Sequence, residues 1–185
     1  MPVNSPISSV CVFCGSRFGT NPAFEQAAKD LGTTLAERHI QLVYGAGDVG
    51  LMGTVANACQ AAGGETFGVI PEYLMGLEVG KRDLTHFIVT ENMHERKKVM
   101  FMNADAIVTL PGGAGSLEEF FEVLTWSQLG LHDKPIFLLN VEGYWDPLVT
   151  LIDHQIASGF ADASLRDLFT VVDTVDQMMA DICTT

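Results

Sequence analysis

The chain has 185 residues, of which 48% are hydrophobic and 18% charged, enough for one domain with a substantial core. Its formal net charge of -13 excludes a protein that holds nucleic acid on a general basic surface, because phosphate backbones require clustered Lys and Arg. We find no apolar run of about eighteen residues and no leader-like N-terminus, so we expect a cytoplasmic protein without a membrane partner. We assign residues 1–185 to a single domain in which residues 1–8 form a flexible tail.

In chain order, apolar segments typical of buried strands alternate with segments of helical periodicity. Strands are predicted at residues 9–14, 41–44, 65–70, 86–90, 106–110, 135–139 and 169–172, and helices at 22–39, 50–62, 93–103, 120–129, 144–158 and 175–182. Asn21 is the predicted N-cap of the first helix, and the long irregular loop at 71–83 is of a length usually retained for function. The alternation predicts an α/β fold, a parallel sheet with helices on both faces that binds its ligand beyond the carboxyl ends of the strands.

The four cysteines are predicted to be free thiols without a metal. Cys11 and Cys14 lie within a predicted strand, whereas a redox pair is expected at the start of a helix. No second pair of ligands at suitable spacing supports zinc. Together with Cys59 and Cys183 they do not form a disulfide framework in a chain of this size and expected compartment.

The glycine-rich segment at residues 111–119, PGGAGSLEE, joins a predicted strand to a predicted helix. Its glycines leave backbone N–H groups unshielded at a helix N-terminus, where the helix dipole also favours an anion such as phosphate. Glu118 and Glu119 are predicted in the first turn of that helix, where the dipole alone favours acids. Close to a bound phosphate, they are also candidates for chemistry.

Two further glycine-bearing turns, at residues 15–19 and 45–50, follow predicted strands. The second matches G-x-G-x-x-G, but it follows the second strand, and the nearest acid beyond the third strand is Glu72. Three such turns at one crevice favour a mononucleotide over a dinucleotide. Arg96, Lys97 and Lys98 stand near a predicted helix start, where basic residues oppose the dipole, and in so acidic a chain they indicate an anionic ligand.

Residues 44–53 (YGAGDVGLMG), 93–97 (MHERK) and 111–119 give the chain a resemblance to the LOG ("Lonely Guy") family. Its members are cytokinin riboside 5'-monophosphate phosphoribohydrolases, often labelled lysine decarboxylases. The resemblance extends from residues 14–16 to residues 159–160. It implies a Rossmann-like fold, a homodimer, no cofactor, and hydrolysis of the bond between adenine N9 and ribose 5-phosphate, with AMP accepted to varying degrees.

The chain departs from the family pattern at three positions. Ser116 stands where Thr is usual and keeps the hydroxyl group. Ala46 replaces the middle glycine of the usual three, which matters only if that position needs a positive φ. Arg17 stands where a small residue is common, and it either contacts the phosphate or lies on the surface.

Carried over residue by residue, the resemblance implies that Arg96 is the paired catalytic arginine and Glu119 the motif carboxylate at the ribose. Such a carboxylate suits cleavage through an oxocarbenium-like sugar, because it stabilises positive charge and orients or deprotonates water. Gly112 to Ser116 would hold the 5'-phosphate, Glu78 would contact the substrate, and Thr125 would lie near the phosphate. The predicted substrate-binding residues are Ser16, Gly45, Gly47, Glu78, Met93, Lys97, Gly112, Gly113, Ala114, Gly115, Ser116, Leu117, Glu118 and Thr125; no metal ligand is predicted.

Competing interpretations stay open at this point. A regulatory or carrier protein of the same fold would bind a nucleotide without cleaving it, and a dehydrogenase would bind NAD. Lysine decarboxylation requires pyridoxal phosphate held by a lysine, which the sequence around Lys97 and Lys98 does not support. The aromatic residues at 120–126 belong either to the core or to a dimer interface. The same ambiguity applies to a set of apolar residues that either pack in the core or line a slot for a prenyl group: Met75, Leu77, Met93 and Trp126.

Overall fold

A computed structural model describes residues 7–75 and 80–184, with residues 183 and 184 described by their backbone alone. Within these residues, seven strands form one parallel sheet: β1 (Ser9–Phe13), β2 (Gln41–Tyr44), β3 (Thr66–Pro71), β4 (His86–Thr90), β5 (Ala106–Thr109), β6 (Ile136–Leu139) and β7 (Thr170–Val172). The helices are α1 (Pro22–Glu37), α2 (Gly50–Ala61), α3 (Met93–Met102), α4 (Ala114–Gln128), α5 (Asp146–Ala157) and α6 (Val175–Thr184). This is the α/β, Rossmann-like architecture predicted from the sequence.

The strand order is β4-β3-β2-β1-β5-β6-β7. Strands β2, β3 and β4 therefore follow one another on one side of β1, and β5, β6 and β7 follow one another on its other side. β1 pairs in parallel with both β2 and β5, and its pairing with β5 runs from Val10 opposite Ala106 to Phe13 opposite Thr109. The loops that follow β1 and β5 therefore separate to opposite faces of the sheet. A crevice opens at such a switch point, which is where doubly wound sheets bind ligands.

Two apolar layers cover the sheet, because successive side chains of each strand point to opposite faces. Val10 and Val12 of β1 pack with α1, α2 and α6, whereas Cys11 and Phe13 pack with α3, α4 and α5. The prediction of free thiols is confirmed for Cys11, Cys14 and Cys59, which are buried and not in disulfides; the side chain of Cys183 lies outside the described part. Burial raises the pKa of Cys59 to about 11, so this thiol stays protonated at neutral pH.

Asn21 caps α1 as predicted, since its side chain accepts a hydrogen bond from the backbone N–H of Ala23. Of the predicted tail, residues 1–6 lie outside the described residues, while Ile7 packs against the core and Ser8 donates from its backbone and hydroxyl to Asp105. In the predicted loop 71–83, Glu72–Leu74 form a 3-10 turn, and residues 76–79 are not described. No helix among the described residues combines the length and the apolar character that crossing a membrane requires.

The predicted start of the fourth helix at residue 120 is wrong, because α4 begins at Ala114. Gly113 is its N-cap, with extended backbone at φ -97° and ψ -152°. Glycines favour turns when considered locally, but here the packing of Phe120, Val123 and Leu124 against the sheet stabilises the whole helix. Gly115 and Ser116 therefore lie in its first turn, and the two glutamates lie beyond it.

Candidate active site

A cavity of about 510 Å³ opens at the carboxyl ends of β1 and β5, at the switch point of the sheet. The loop after β1 forms one wall, and the turn after β5 with the start of α4 forms another. Side chains from α1, α2 and α3 and from the loop after β6 complete it. The lining residues are Cys14, Gly15, Ser16, Arg17, Phe18, Gly19, Phe24, Leu51, Met52, Met93, Arg96, Pro111, Gly112, Gly113, Ala114, Gly115, Ser116, Glu118, Glu119 and Tyr144.

The N-terminus of α4 faces this cavity and carries the features of an anion site. The N–H groups of the first helical residues, Ala114 to Ser116, have no acceptor within the helix, and these residues line the cavity wall. A Cβ atom added at Gly113 or Gly115 would meet open space, so glycine leaves the backbone accessible from the cavity. Unshielded N–H groups at the positive end of the helix dipole suit a phosphate group.

The three glycine-bearing turns are joined by backbone hydrogen bonds centred on Gly15. Its N–H donates to the carbonyl of Pro111 over 3.1 Å. Its own carbonyl accepts from the N–H groups of Leu51 and Met52, at 3.1 and 3.3 Å, which attaches the start of α2 to the same point. The turn after β5 is thereby held against two other elements and does not depend on its own short sequence for its shape.

Arg96 is brought into the cavity wall by backbone carbonyls of the neighbouring strands. Its side chain comes from α3, is only 4% exposed, and donates from Nε to the carbonyl of Val69 at 3.0 Å and from Nη2 to that of Gly45 at 2.6 Å. Nη1 contacts the Met93 sulfur at 3.6 Å. The guanidinium is thus a fixed, buried cation whose orientation is set before any ligand binds.

Gly45 is buried, lies outside the cavity wall and serves Arg96. A Cβ atom at this position would collide with the Arg96 guanidinium, so only glycine leaves room for the 2.6 Å hydrogen bond to its carbonyl. Gly47 is also buried and outside the wall, and it forms an isolated antiparallel bridge with Gly80. The sequence grouped both glycines with the substrate, but in the structure neither lines the cavity: Gly45 packs against Arg96, and a Cβ atom at Gly47 would collide with Met52.

Ala46, between them, has φ of +56° and no solvent exposure. The replacement of the usual glycine therefore does fall at a position of positive φ, where an L side chain is strained. The carbonyl of Ala46 accepts a hydrogen bond from the N–H of Lys81 over 2.8 Å. The turn after β2 thus carries backbone strain at the residue directly following the Arg96 contact.

Lys97 also lies outside the cavity wall. Its ammonium donates to Glu118 at 2.5 Å and to Glu122 at 3.1 Å, and the side chain is 6% exposed. Burial alone would lower the pKa of Lys97, but the hydrogen bonds to the two glutamates outweigh it, so its pKa is raised. The interpretation of Glu118 as a first-turn acid stabilised by the helix dipole is wrong, because α4 begins earlier and Lys97 is its partner.

Glu119 is half-buried in the cavity wall and is reached by the same cavity as Arg96 and the α4 N-terminus. The thiol of Cys14 lies close enough to respond to both charges. Burial raises the pKa of Cys14 strongly, the charge of Glu119 raises it further, and that of Arg96 opposes the change. A carboxylate and a fixed guanidinium on one cavity can act on opposite ends of a polarised bond.

The structure brings ten predicted residues into the cavity wall, and they come from three separate segments: Ser16, Met93, Arg96, Gly112, Gly113, Ala114, Gly115, Ser116, Glu118 and Glu119. Leu117 packs against the core and Thr125 is exposed on α4, both outside the wall. Glu78 and Leu77 fall within residues 76–79 and lie outside the described residues. Met75 is not in the wall, and Trp126 stacks edge-on against Phe101 with ring centroids 5.0 Å apart.

Several wall residues were not predicted from the sequence. The apolar side of the cavity is formed by Phe18, Phe24, Leu51 and Met52, and the loop after β6 contributes Tyr144. Phe18 falls in a predicted loop and Phe24 in a predicted helix, whereas Leu51 and Met52 belong to the motif at residues 44–53 without having been assigned a role. Tyr144 lies within the stretch that the family resemblance covers, which is the one signal that could have identified it.

Comparison with known proteins gives a consistent family. The family model described as "Possible lysine decarboxylase" matches residues 52–182. The chain is 45% identical over 177 residues to the probable cytokinin riboside 5'-monophosphate phosphoribohydrolase LOG4 of Oryza sativa subsp. japonica, covering 96% of this chain and 77% of that protein. It is 46% identical over 167 residues to the cytokinin riboside 5'-monophosphate phosphoribohydrolase LOG5 of Arabidopsis thaliana, covering 90% and 73%.

Solved structures share the fold at lower sequence identity. The Moco carrier protein from Chlamydomonas reinhardtii superimposes with a TM-score of 0.70 over 95% of each chain, with 22% sequence identity. Identity at this level supports the fold alone.

Proposed function

The chain belongs to the LOG family of cytokinin riboside 5'-monophosphate phosphoribohydrolases, and from this premise we propose how its cavity cleaves the N-glycosidic bond of such nucleotides. The products are the free base and ribose 5-phosphate, and AMP is a second candidate substrate. One observation carries the assignment of the site. A helix N-terminus suited to phosphate, a buried arginine and a half-buried glutamate line one cavity at the switch point of the sheet.

We propose that the 5'-phosphate binds the N–H groups of residues 113–116 and anchors the ribose. Binding energy from this remote group positions the reacting bond, which lowers the barrier without direct participation in the chemistry. Ser116 places its hydroxyl beside Gly112, where a Cβ atom would collide with it. The hydroxyl group that the family usually takes from Thr is therefore present at the same turn.

Glu119 is the proposed carboxylate at the ribose. The C1'–N9 bond breaks with its electron pair moving to the base, and positive charge develops on the sugar ring. The carboxylate stabilises that charge and removes a proton from the water that attacks C1'. The departing base takes up one proton from solvent and Glu119 returns its proton to solvent, so that the products are the neutral base and ribose 5-phosphate. The half-buried setting of Glu119 strengthens both effects, because charges interact more strongly away from bulk water.

Arg96 is proposed to orient the nucleotide and to favour departure of the base. Because Nε and Nη2 are held by the carbonyls of Val69 and Gly45, the cation does not have to reorganise during the reaction. Its positive charge stabilises the electron density that collects on the departing base. The role differs from a flexible phosphate clamp, in which the guanidinium fork would be turned toward the ligand.

The apolar wall supports binding of an adenine with a hydrophobic N6 substituent. Phe18, Phe24, Leu51 and Met52 present aromatic, aliphatic and thioether groups to the cavity, and Met93 lies beside Arg96. A prenyl group buried on such a surface gains roughly 0.8 kcal/mol for each CH₂ removed from water. We therefore propose a preference for prenylated nucleotides over AMP.

A homodimer in the cytoplasm is the proposed state of the protein, as the family resemblance implies. Exposed apolar side chains at the ends of α3 and α4 support an interface there, since Met102, Leu129 and Leu131 are 68%, 67% and 68% exposed. Light scattering on the protein as it elutes from a size-exclusion column measures its mass directly. A monomer of 20.0 kDa at all concentrations would contradict the proposal.

Incubation of the purified protein with isopentenyladenosine monophosphate or AMP, followed by chromatography, tests the function. We expect equimolar free base and ribose 5-phosphate, with a higher kcat/KM for the prenylated nucleotide. The matching nucleosides serve as controls, because they lack the group that the α4 N-terminus binds. Binding without release of base would identify a nucleotide carrier and would refute the proposed reaction.

None of the described lining residues is a lysine, so no amine is at hand there for a pyridoxal phosphate Schiff base.

A further inference from the structure

The loop after β6 reaches across the cavity and contacts the anion-binding turn through Tyr144. The tyrosine hydroxyl donates a hydrogen bond of 2.5 Å to the carbonyl of Gly112, which is 32 residues away in sequence. Tyr144 also lines the cavity and is 37% exposed. It therefore touches the phosphate end of the proposed site without belonging to the glycine motif.

The ring of Tyr144 is held on two sides. It stacks edge-on against Phe24 with centroids 5.3 Å apart and against Trp145 at 4.7 Å. Trp145 in turn donates from its indole N–H to the carbonyl of Thr109 at 3.3 Å, at the end of β5. Tyr144 and Trp145 thus donate hydrogen bonds to the turn after β5 and to the end of β5, respectively.

The backbone before Tyr144 contains two successive residues with a positive φ, which is uncommon. Glu142 and Gly143 have φ of +53° and +71° in succession. Asn140 fastens the segment, because its side-chain oxygen accepts from the N–H of Trp145 at 2.7 Å and its amide donates to Asp146 at 2.9 Å. Strained residues persist where the surrounding contacts determine them, and such residues cluster at functional sites.

The hydrogen bond to Gly112 has a direct geometric consequence. In a trans peptide the carbonyl and the N–H of the next residue point in opposite directions. Holding the Gly112 carbonyl toward Tyr144 therefore directs the N–H of Gly113 away from the tyrosine, at the start of the row of donors on α4. The two residues that this peptide joins are both glycines, so the rotation of the peptide is not restricted by side chains of their own, and the contact with Tyr144 restricts it.

We infer that Tyr144 is a positioning residue for the reaction, which orients the Gly112–Gly113 peptide so that its N–H is presented to the 5'-phosphate. This inference rests on the proposed function, since it concerns the phosphate of the nucleotide substrate. It assigns to the loop after β6 a role in phosphate binding. Tyr144 acts through Gly112 and does not participate in cleavage of the C1'–N9 bond.

The substitution Tyr144→Phe tests the inference, because it removes the hydroxyl and keeps the ring contacts with Phe24 and Trp145. We expect KM for the nucleoside monophosphate to rise about fivefold with kcat changed less than about twofold, as for loss of one ordinary hydrogen bond. The Kd of ribose 5-phosphate, measured by calorimetry, should rise by the same factor, while the Kd of the matching nucleoside, which lacks the phosphate, stays at the wild-type value. Tyr73→Phe is the control, since Tyr73 is 57% exposed and lies outside the cavity wall.

The outcomes separate this inference from the proposed function. If wild-type protein releases no base, the proposed reaction fails, and the Kd of ribose 5-phosphate still tests the role of Tyr144. If the wild type is active and Tyr144→Phe binds ribose 5-phosphate as tightly as wild type, the positioning role is refuted. Equal loss of affinity for ribose 5-phosphate and for the matching nucleoside would also refute it, because a general disturbance of the site would not depend on the phosphate.

Discussion

Two glycine-rich turns flank β1 in the sheet, residues 45–50 after β2 and residues 111–115 after β5. Both follow buried parallel strands and lead into helices, α2 and α4. The turn after β2 presents a carbonyl, that of Gly45, to the buried guanidinium of Arg96. The turn after β5 presents N–H groups at the start of α4 to an open cavity.

The difference shows that a residue without a side chain is needed at the two turns for two separate reasons. At Gly45 the space is occupied by Arg96, so the glycine accommodates part of the protein. At Gly113 the space is open, and in the proposed function it accommodates the ligand. One turn therefore holds a cation in place, and the other is proposed to receive the phosphate of the substrate that this cation also contacts.

The largest expected effect is at Glu119, the proposed catalytic carboxylate. Glu119→Gln removes the carboxylate charge while retaining the shape of the side chain. We expect kcat for release of free base to fall about 10³-fold, in the range of lost general acid–base catalysis, with nucleotide binding largely preserved. Rapid-quench measurement of free base, together with calorimetric binding of the nucleotide, checks both parts.

Glu118→Gln is the matched control, one residue away on the same helix. Glu118 shares Lys97 with Glu122, and its side chain is 57% exposed, so its loss should reduce kcat less than about fivefold. Near-normal turnover by Glu119→Gln, or equal losses in the two variants, would contradict the assignment of the catalytic carboxylate.

The sequence predicted the sheet, the six helices and the switch-point crevice because these follow from periodicity and from the handedness of strand–helix crossovers. It also placed Arg96, Glu119 and residues 112–116 in one candidate site, and the structure brings them to one cavity. It did not predict that Gly45 serves Arg96, because that contact joins residues 51 positions apart. The local spacing of glycines does not show at which of the two turns a side chain of the protein itself occupies the space beside the glycine.

The next largest effect distinguishes the two turns directly. Gly45→Ala places a methyl group against the Arg96 guanidinium, so we expect kcat to fall about 10- to 100-fold and the free energy of unfolding to fall by about 1–3 kcal/mol. Gly113→Ala projects its methyl group into open space. Its free energy of unfolding should change by less than about 1 kcal/mol, while KM for the nucleotide rises about tenfold.

Chemical denaturation and steady-state kinetics on both variants provide the measurement. The comparison predicts a stability and kcat defect in the first variant and a KM defect in the second. If both variants lose nucleotide affinity alone, Gly45 contacts the ligand after all, as its sequence pattern suggested. If Gly113→Ala loses mainly stability, the turn after β5 serves the fold and not the ligand.

The ion pair at Lys97 is the third test, with a smaller effect confined to stability. Hydrogen bonds to Glu118 and Glu122 raise the pKa of Lys97 above its ordinary value of 10.5, despite burial. A raised pKa means that the stabilisation is complete below about pH 10.5 and is lost as pH rises through the pKa of the folded protein. Lys97→Met should therefore lower the free energy of unfolding by about 1–2 kcal/mol at pH 8, and the difference should shrink above pH 10.5.

Urea unfolding of wild type and Lys97→Met at pH 8, 10 and 11 measures this dependence. Lys98→Met is the control, because Lys98 is exposed on the same helix. A difference between wild type and Lys97→Met that is independent of pH would show that the lysine stabilises through its aliphatic chain and not through its charge.

The smallest expected effect concerns the strain at Ala46, beside the Arg96 contact. Ala46→Gly relieves about 1–2 kcal/mol of strain at φ of +56°, but it removes a buried methyl group and adds freedom to the unfolded chain, at about 0.8 and 0.5–1 kcal/mol. These contributions nearly cancel, so the free energy of unfolding should change by less than about 0.5 kcal/mol. Ala56→Gly, equally buried but inside α2, has no strain to relieve and should be destabilised by about 1–2 kcal/mol. Equal losses in the two variants would show that the turn after β2 tolerates alanine at position 46 without strain.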